Sequence, residues 1–158
     1  MSLGISNELD AASERPEAPR ARRSLAAILR MAWVGYVARG GLTFMFWSSG
    51  LAKLLDPETG LAEMRHFGLL PDWLFYAAAV AILLGGSLLV ILDRWTWLGA
   101  GILAVFTVLT IPIAHDFWTM QEPLRTMEFH VVTEHITVVG ALLFAIYVSA
   151  TRRRAAAS

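Results

Sequence analysis

Residues 73–92 read WLFYAAAVAILLGGSLLVIL, twenty positions without a charged side chain. A bilayer's hydrocarbon core is about 30 Å thick, and a helix needs roughly 20 apolar residues to cross it. The stretch has that length and is bounded by Pro71-Asp72 and Asp93-Arg94, so it predicts a transmembrane helix. Downstream, Asp93-Arg94 makes a tight connection to a further apolar run, about Trp97 to Ala114. A polar loop, His115 to Glu128, leads to another, about Phe129 to Ala150, which stops at Arg152-Arg153-Arg154. Upstream lies the first run, about Met31 to Leu55, with Arg39 inside it. Asp56-Pro57-Glu58 then reads as an N-cap followed by proline at the first helical position. It opens a short amphipathic helix, Glu58 to Phe67, ahead of the breaker Pro71. The expected fold is all-α: a four-helix transmembrane bundle over residues 31–151, with a short amphipathic helix between the first two spans.

Composition agrees with this pattern. The 158 residues are 56% hydrophobic and only 16% charged, with a mean hydropathy of +0.56. A soluble domain carries nearer a quarter charged residues. Here the charges sit in short clusters between long uncharged runs. Residues 1–30, rich in Ala, Arg, Glu and Pro, read as a disordered tail, and residues 152–158 as a basic one. No cleavable signal peptide is expected, and the first span serves as its own insertion signal. The chain has no cysteine, which excludes thiol chemistry, disulfides, iron–sulfur ligation and c-type haem attachment by this chain.

Nine arginines (Arg15, Arg20, Arg22, Arg23, Arg30, Arg94, Arg152, Arg153 and Arg154) fall on one side of four spans, against Arg65, Arg125 and the marginal Lys53 on the other. The positive-inside rule then puts both termini in the cytoplasm and the His115–Glu128 loop outside. The lipid bilayer is the expected first partner, and nucleic acid no partner. Small residues (Gly40, Gly41, Ser48, Ser49, Gly50, Gly85, Gly86, Gly99, Gly101 and Gly140) occur in every span, where they permit close helix contact in lipid. Trp73, Trp95, Trp97 and Trp118 flank the spans as interfacial anchors.

Ionisable groups at membrane depth are costly and mark candidate sites. Arg39, Thr43, Phe46, Gly50 and Lys53 share one helix face, Arg39 and Lys53 lying about 20 Å apart along it. In the last span His130, Thr133, Glu134, Thr137, Gly140 and Ala141 share a polar, small face that is expected to turn inward. Glu134 then lies level with Lys53, and an ion pair between them is expected. His115, Asp116, Glu128, His130, Glu134 and His135 form the densest polar cluster. Three readings stand for it: hydrogen-bonded interfacial histidines, a proton or quinone site, or a metal or haem site. There is no HExxH signature.

Several pieces of the sequence resemble the DoxX family of small bacterial membrane proteins. They are Arg39 with Ser49-Gly50-Leu51-Ala52-Lys53-Leu54, Phe67-Gly68-Leu69-Leu70-Pro71, Leu84-Gly85-Gly86-Ser87-Leu88-Leu89, His115-Asp116-Phe117-Trp118, and Gly140-Ala141-Leu142-Leu143. The resemblance runs from about Arg39 to Leu143. The family often has an acidic residue before the Gly-Gly, where this chain has Ala81-Ile82-Leu83. A Lys-Asn pair is common where Glu134-His135 stands here. The family takes its name from a subunit of a membrane thiosulfate:quinone oxidoreductase, and other members look like membrane partners of redox or detoxifying enzymes. The resemblance therefore implies a quinone-linked or redox-associated subunit of a bacterial inner membrane. Arg39, Lys53, His115, Asp116, Trp118, His130, Glu134 and His135 are the candidates for a ligand or proton site. For a quinone, Lys, His and Asp supply the donors and proton source the carbonyl oxygens require. Two alternatives are carried: a non-catalytic scaffold for a partner enzyme, and a small metal-binding or transport protein, which as four spans without an inverted repeat would need to oligomerise.

Overall fold

The computed structural model describes residues 27–29 and 31–157, so the tail expected at 1–30 lies outside the described residues, apart from 27–29, which are helical. The chain divides into two compact units, residues 1–35 and 36–158. In the first, the Met31 amide donates to Ile28 O at 3.0 Å and that of Val34 to Met31 O at 3.1 Å. The described helices are α1 (Ala32–Leu42), α2 (Phe44–Leu55), α3 (Pro57–His66), α4 (Asp72–Ile91), α5 (Thr96–Ala114) and α6 (Leu124–Ala157), with a 3-10 turn at Phe117–Thr119. Among the described residues there is no strand. Among the described residues three helical segments, Asp72–Ile91, Thr96–Thr119 and Leu124–Ala155, are long and apolar enough to cross a membrane.

The first expected span is not one helix. It breaks at Thr43, whose φ of −97° and ψ of 9° are not helical. Both the amide and the hydroxyl of Thr43 donate to Arg39 O, at 3.0 and 2.8 Å, and the Trp47 indole donates to Gly40 O at 3.1 Å. Threonine back-bonding and side-chain capture of a ladder carbonyl bend helices, and Gly40-Gly41 offers little intrinsic resistance. Beyond the break, Thr43, Phe46 and Gly50 are buried along one face.

The other boundaries follow from local chemistry. The Asp56 carboxylate caps α3 by accepting from the Thr59 amide (3.1 Å) and hydroxyl (2.7 Å), with Pro57 at the first position. These bonds hold the Asp56 carboxyl below its ordinary pKa, the side-chain bond from Thr59 contributing most. The helix closes with Gly68 at φ +69°, where the Leu69 amide reaches back to Met64 O and that of Gly68 to Arg65 O, a Schellman ending. The Asp93-Arg94 turn ends α4 in the same way, Arg94 N to Leu89 O and Asp93 N to Val90 O, each 3.1 Å. Here Asp93 takes the left-handed position at φ 54°, held by Thr96 and Arg39, which both donate to its carboxylate. The last helix is longer than expected at both ends: α6 starts at Leu124, within the expected loop, and runs through Arg152–Arg154 to Ala157. Alanine and arginine are strong helix formers, and cations suit a helix C-terminus.

Phe46 of α2, Leu83 and Val90 of α4, Ala100, Leu103 and Ala104 of α5, and Leu142 of α6 form one buried core. Large apolar side chains such as Val105, Leu109, Ile136, Leu143 and Phe144 remain exposed, as suits helices solvated by lipid tails. Helices α4 and α5 meet at glycines. A methyl group on Gly99 would lie 2.7 Å from Gly86 O, and one on Gly86 would meet Leu103 at 2.8 Å. Gly50 is as close to Leu84, and Gly60 to Tyr76. Gly40, Gly41, Gly85, Gly101 and Gly140, by contrast, have open space around the absent Cβ, so only part of the small-residue pattern marks helix contact.

Gly99→Ala is therefore predicted to destabilise the protein by ~1–3 kcal/mol, the ordinary effect of overpacking, since a backbone oxygen cannot move aside as a side chain does. Gly101→Ala is predicted to leave the melting temperature in detergent unchanged or higher. Thermal unfolding of the two variants side by side checks both.

Candidate functional site

A cavity of about 280 Å³ lies between α2, α4, α5 and α6. Its walls are mostly apolar (Met45, Phe46, Phe67, Leu83, Phe106 and Ala114), and its polar groups are Ser49, Lys53, Glu63, Thr107, Thr110, His115 and His135. Lys53 comes from the last turn of α2, on the buried face set by Phe46 and Gly50. Its ammonium forms an ion pair with Glu63 of the amphipathic helix α3, and the Tyr76 hydroxyl donates to its carbonyl at 2.9 Å. The Lys53 side chain is 12% exposed and that of Glu63 42%, so the cation faces inward and the carboxylate reaches toward the surface.

The opposing wall carries two imidazoles. His115, just past α5, meets the Glu128 carboxylate through Nδ1 at 2.7 Å. His135, on α6, uses Nδ1 against Val131 O at 2.8 Å. A carbonyl can only accept, so this Nδ1 carries the proton; an ionised Glu128 requires the same of His115. In each ring Nε2 is left for another partner. The rings themselves touch edge to face, centroids 4.8 Å apart. Thr107 and Thr110 satisfy their hydroxyls on Leu103 O and Thr107 O, each at 2.8 Å, while Ser49 has no hydrogen-bond partner among the described residues.

Of the eight sequence candidates, the cavity gathers three: Lys53, His115 and His135. Arg39 works near the far end of α4, donating to Ile91 O at 3.0 Å and to Asp93 at 3.3 Å, with its guanidinium 5.4 Å from the Tyr36 ring centre. Asp116 precedes the 3-10 turn, where its carboxylate accepts from the Thr119 hydroxyl at 2.7 Å. Trp118 is exposed and packs its edge on Phe117. The Lys53–Glu134 pair expected from sequence does not form: the partner is Glu63, and Glu134 is exposed. The inward face of α6 consists of Val132, His135, Val138, Val139, Leu142 and Ile146, whereas His130, Thr133, Glu134, Thr137 and Gly140 face outward. Packing of branched apolar side chains against Ala100, Leu103 and Ala104 decides which face turns in, and Thr133 and Thr137 do not need the core because each bonds a backbone carbonyl four residues earlier.

Glu63 was missed by the sequence reading. The one available signal was its i, i+3 spacing from Gly60, since Gly60 and Met64 mark the buried stripe of α3. Among the described residues no group of three His, Asp or Glu side chains is arranged to hold a metal ion.

Compared with known proteins, the chain matches the DoxX family model over residues 35–116. No curated protein and no solved structure matches. The matched segment includes Lys53, Glu63 and His115, but ends before Glu128 and His135, so half of the imidazole wall lies beyond it.

Lys53 is the more buried partner of its pair, so removing Glu63 alone strands a cation. Glu63→Gln is predicted to lower thermal stability, and Lys53→Met in the same chain to restore part of the loss. A double-mutant cycle is expected to give a coupling of ~0.5–3 kcal/mol, toward the lower end because Glu63 is partly solvated. The same cycle run on Lys53 and Glu134 is expected to give none.

Proposed function

This chain belongs to the DoxX family, and on that premise we propose that it is a quinone-linked membrane subunit whose cavity holds the quinone ring. The observation that carries the reading is the convergence of Lys53, His115 and His135 on one largely apolar cavity of about 280 Å³. That volume is near the lower end for small-molecule sites and suits a single substituted ring. Apolar walls with a few polar groups at opposite sides fit a ligand with two carbonyl oxygens on a flat apolar body. A bound quinone supplies a two-electron, two-proton couple, the electrons coming from a reductant on a partner subunit. Lys53, paired with Glu63, donates to one carbonyl oxygen. As an imidazolium His115 donates through Nε2 while Nδ1 stays on Glu128, and the Nε2 of His135 accepts a proton from the cavity or returns it. Phe67 and Phe106 exclude water from the ring.

In the same reading α1 and α2 together make the fourth crossing. The arginine-bearing ends then lie in the cytoplasm of a bacterial cell and the cavity at the outer side of the inner membrane. The cysteine-free sequence makes this testable: a cysteine introduced at Thr119 is labelled by an impermeant reagent on intact spheroplasts, and one at Ala157 only after lysis.

A second reading, a scaffold for a partner enzyme, is favoured by the outward polar face of α6. The Glu134 carboxylate has no hydrogen-bond or ion-pair partner among the described residues, and a helix of another subunit would cover it. The two readings separate cleanly. If the cavity binds quinone, a short-chain quinone quenches tryptophan fluorescence saturably. Lys53→Met and His115→Leu then weaken binding by roughly 10–100-fold, the loss expected for a hydrogen bond to a charged group, whereas Glu134→Leu leaves it unchanged. A protein without extractable quinone, indifferent to the cavity variants but losing a co-purifying enzyme on Glu134→Leu, would establish the scaffold instead.

A further inference from the structure

Arg94 and Arg153 are distant in sequence, yet both line a cavity of about 560 Å³ with Leu89, Asp93 and Trp95. It lies at the other end of α4 from the Lys53 site: Tyr76 bonds Lys53, while Ile91 bonds Arg39, and fifteen residues of helix separate those points by about 22 Å. Asp93 is already engaged, accepting from Arg39 at 3.3 Å and from Thr96 at 2.8 Å. The guanidinium groups of Arg94 and Arg153 have no ion-pair or hydrogen-bond partner among the described residues. Two guanidinium groups thus share one concavity whose carboxylate is neutralised by a third arginine.

We propose that Arg94 and Arg153 form a binding site for the phosphate of an anionic phospholipid. A guanidinium offers paired N–H donors that match a phosphate's oxygens, and basic pockets between membrane helices suit anionic headgroups. The apolar wall argues for a lipid over free phosphate. Leu89 continues from the cavity onto the apolar surface of α4, with Leu88 and Leu92 exposed beside it, a path for acyl chains. Trp95, 62% exposed, sits where an indole packs at headgroup level. The backbone presents the arginine by the left-handed turn: φ is 54° at Asp93 and 55° at Trp95, so Arg94 stands at the tip between two reversals of the chain. On the other side, continuation of α6 through residues 152–157 holds Arg153 on a rigid helix in place of a loose tail. The first turn of α5, which starts beside Trp95, has no acidic residue to repel an anion. Bound lipid bridges the α4–α5 turn to the end of α6, joining elements that no hydrogen bond links directly among the described residues.

Native mass spectrometry of the full chain, released from mild detergent after incubation with phosphatidylglycerol or phosphatidylcholine, tests the site. Phosphatidylglycerol is expected to be retained preferentially. Arg94→Gln and Arg153→Gln are each expected to weaken retention about fivefold, the effect of one cation near an anionic headgroup, and the double variant by the product. Arg152→Gln, with the same change in net charge, is expected to change it less than twofold. Melting temperatures without lipid show that the variants fold, and Arg94→Lys is a milder check if Arg94→Gln does not. Equal retention of the two lipids, or an effect of Arg152→Gln as large as that of Arg153→Gln, would overturn the proposal. Competition by millimolar inorganic phosphate that abolishes retention would reassign the cavity to a free anion.

Discussion

Everything that the candidate site needs rests on how closely α4 and α5 approach. At Gly86 and Gly99 the two helices leave no room for even a methyl group, because the facing atom at Gly99 is a backbone oxygen. In lipid there is little hydrophobic drive to hold helices together, so contact of this closeness does that work through dispersion. Once α4 and α5 are fixed, α2 packs on α4 through Gly50, and α6 packs on α5 through Leu142. Lys53 and His135 are thereby brought to opposite walls of one cavity from helices on either side of the central pair.

The cavity's chemistry is also built from outside the long helices. Its cation is paired by a residue of the short amphipathic α3, and one of its imidazoles is oriented by Glu128 in the first turns of α6. Both carboxylates come from segments outside the expected spans, Glu63 from the amphipathic helix and Glu128 from the end of the expected loop. A charge at membrane depth is tolerable when its partner folds back over the end of the bundle, because the pair then keeps one foot in the interface.

Much of the fold was legible because its signals are local. Residues 73–92 announce a spanning helix by length alone. Asp56-Pro57 caps and starts α3 as those residue types do, and Asp93-Arg94 is short enough to force a hairpin of helices. The misreadings share a physical cause. Periodicity groups His130, Thr133, Glu134, Thr137 and Gly140 on one face but does not say whether that face turns in; self-satisfied threonines removed the reason to bury it, and Leu142 with its neighbours supplied a better one. The break at Thr43 depends on a hydroxyl and an indole capturing particular carbonyls, which no apolar average registers. Likewise, the path of α3 settles that Lys53 meets Glu63 and not Glu134, whose face of α6 turns outward.

Within the DoxX family, the Lys53–His115–His135 cavity is the proposed quinone site. The chain has four histidines, two in that cavity and two, His66 and His130, exposed outside it. Nitrogen-15 spectra of the imidazoles in bilayers, recorded as a short-chain quinone is added, test this assignment directly. With quinone in the cavity, the His115 and His135 resonances move together and saturate while His66 and His130 stay put. Movement of His130 or His66 alone, or no movement at saturating quinone, would contradict it.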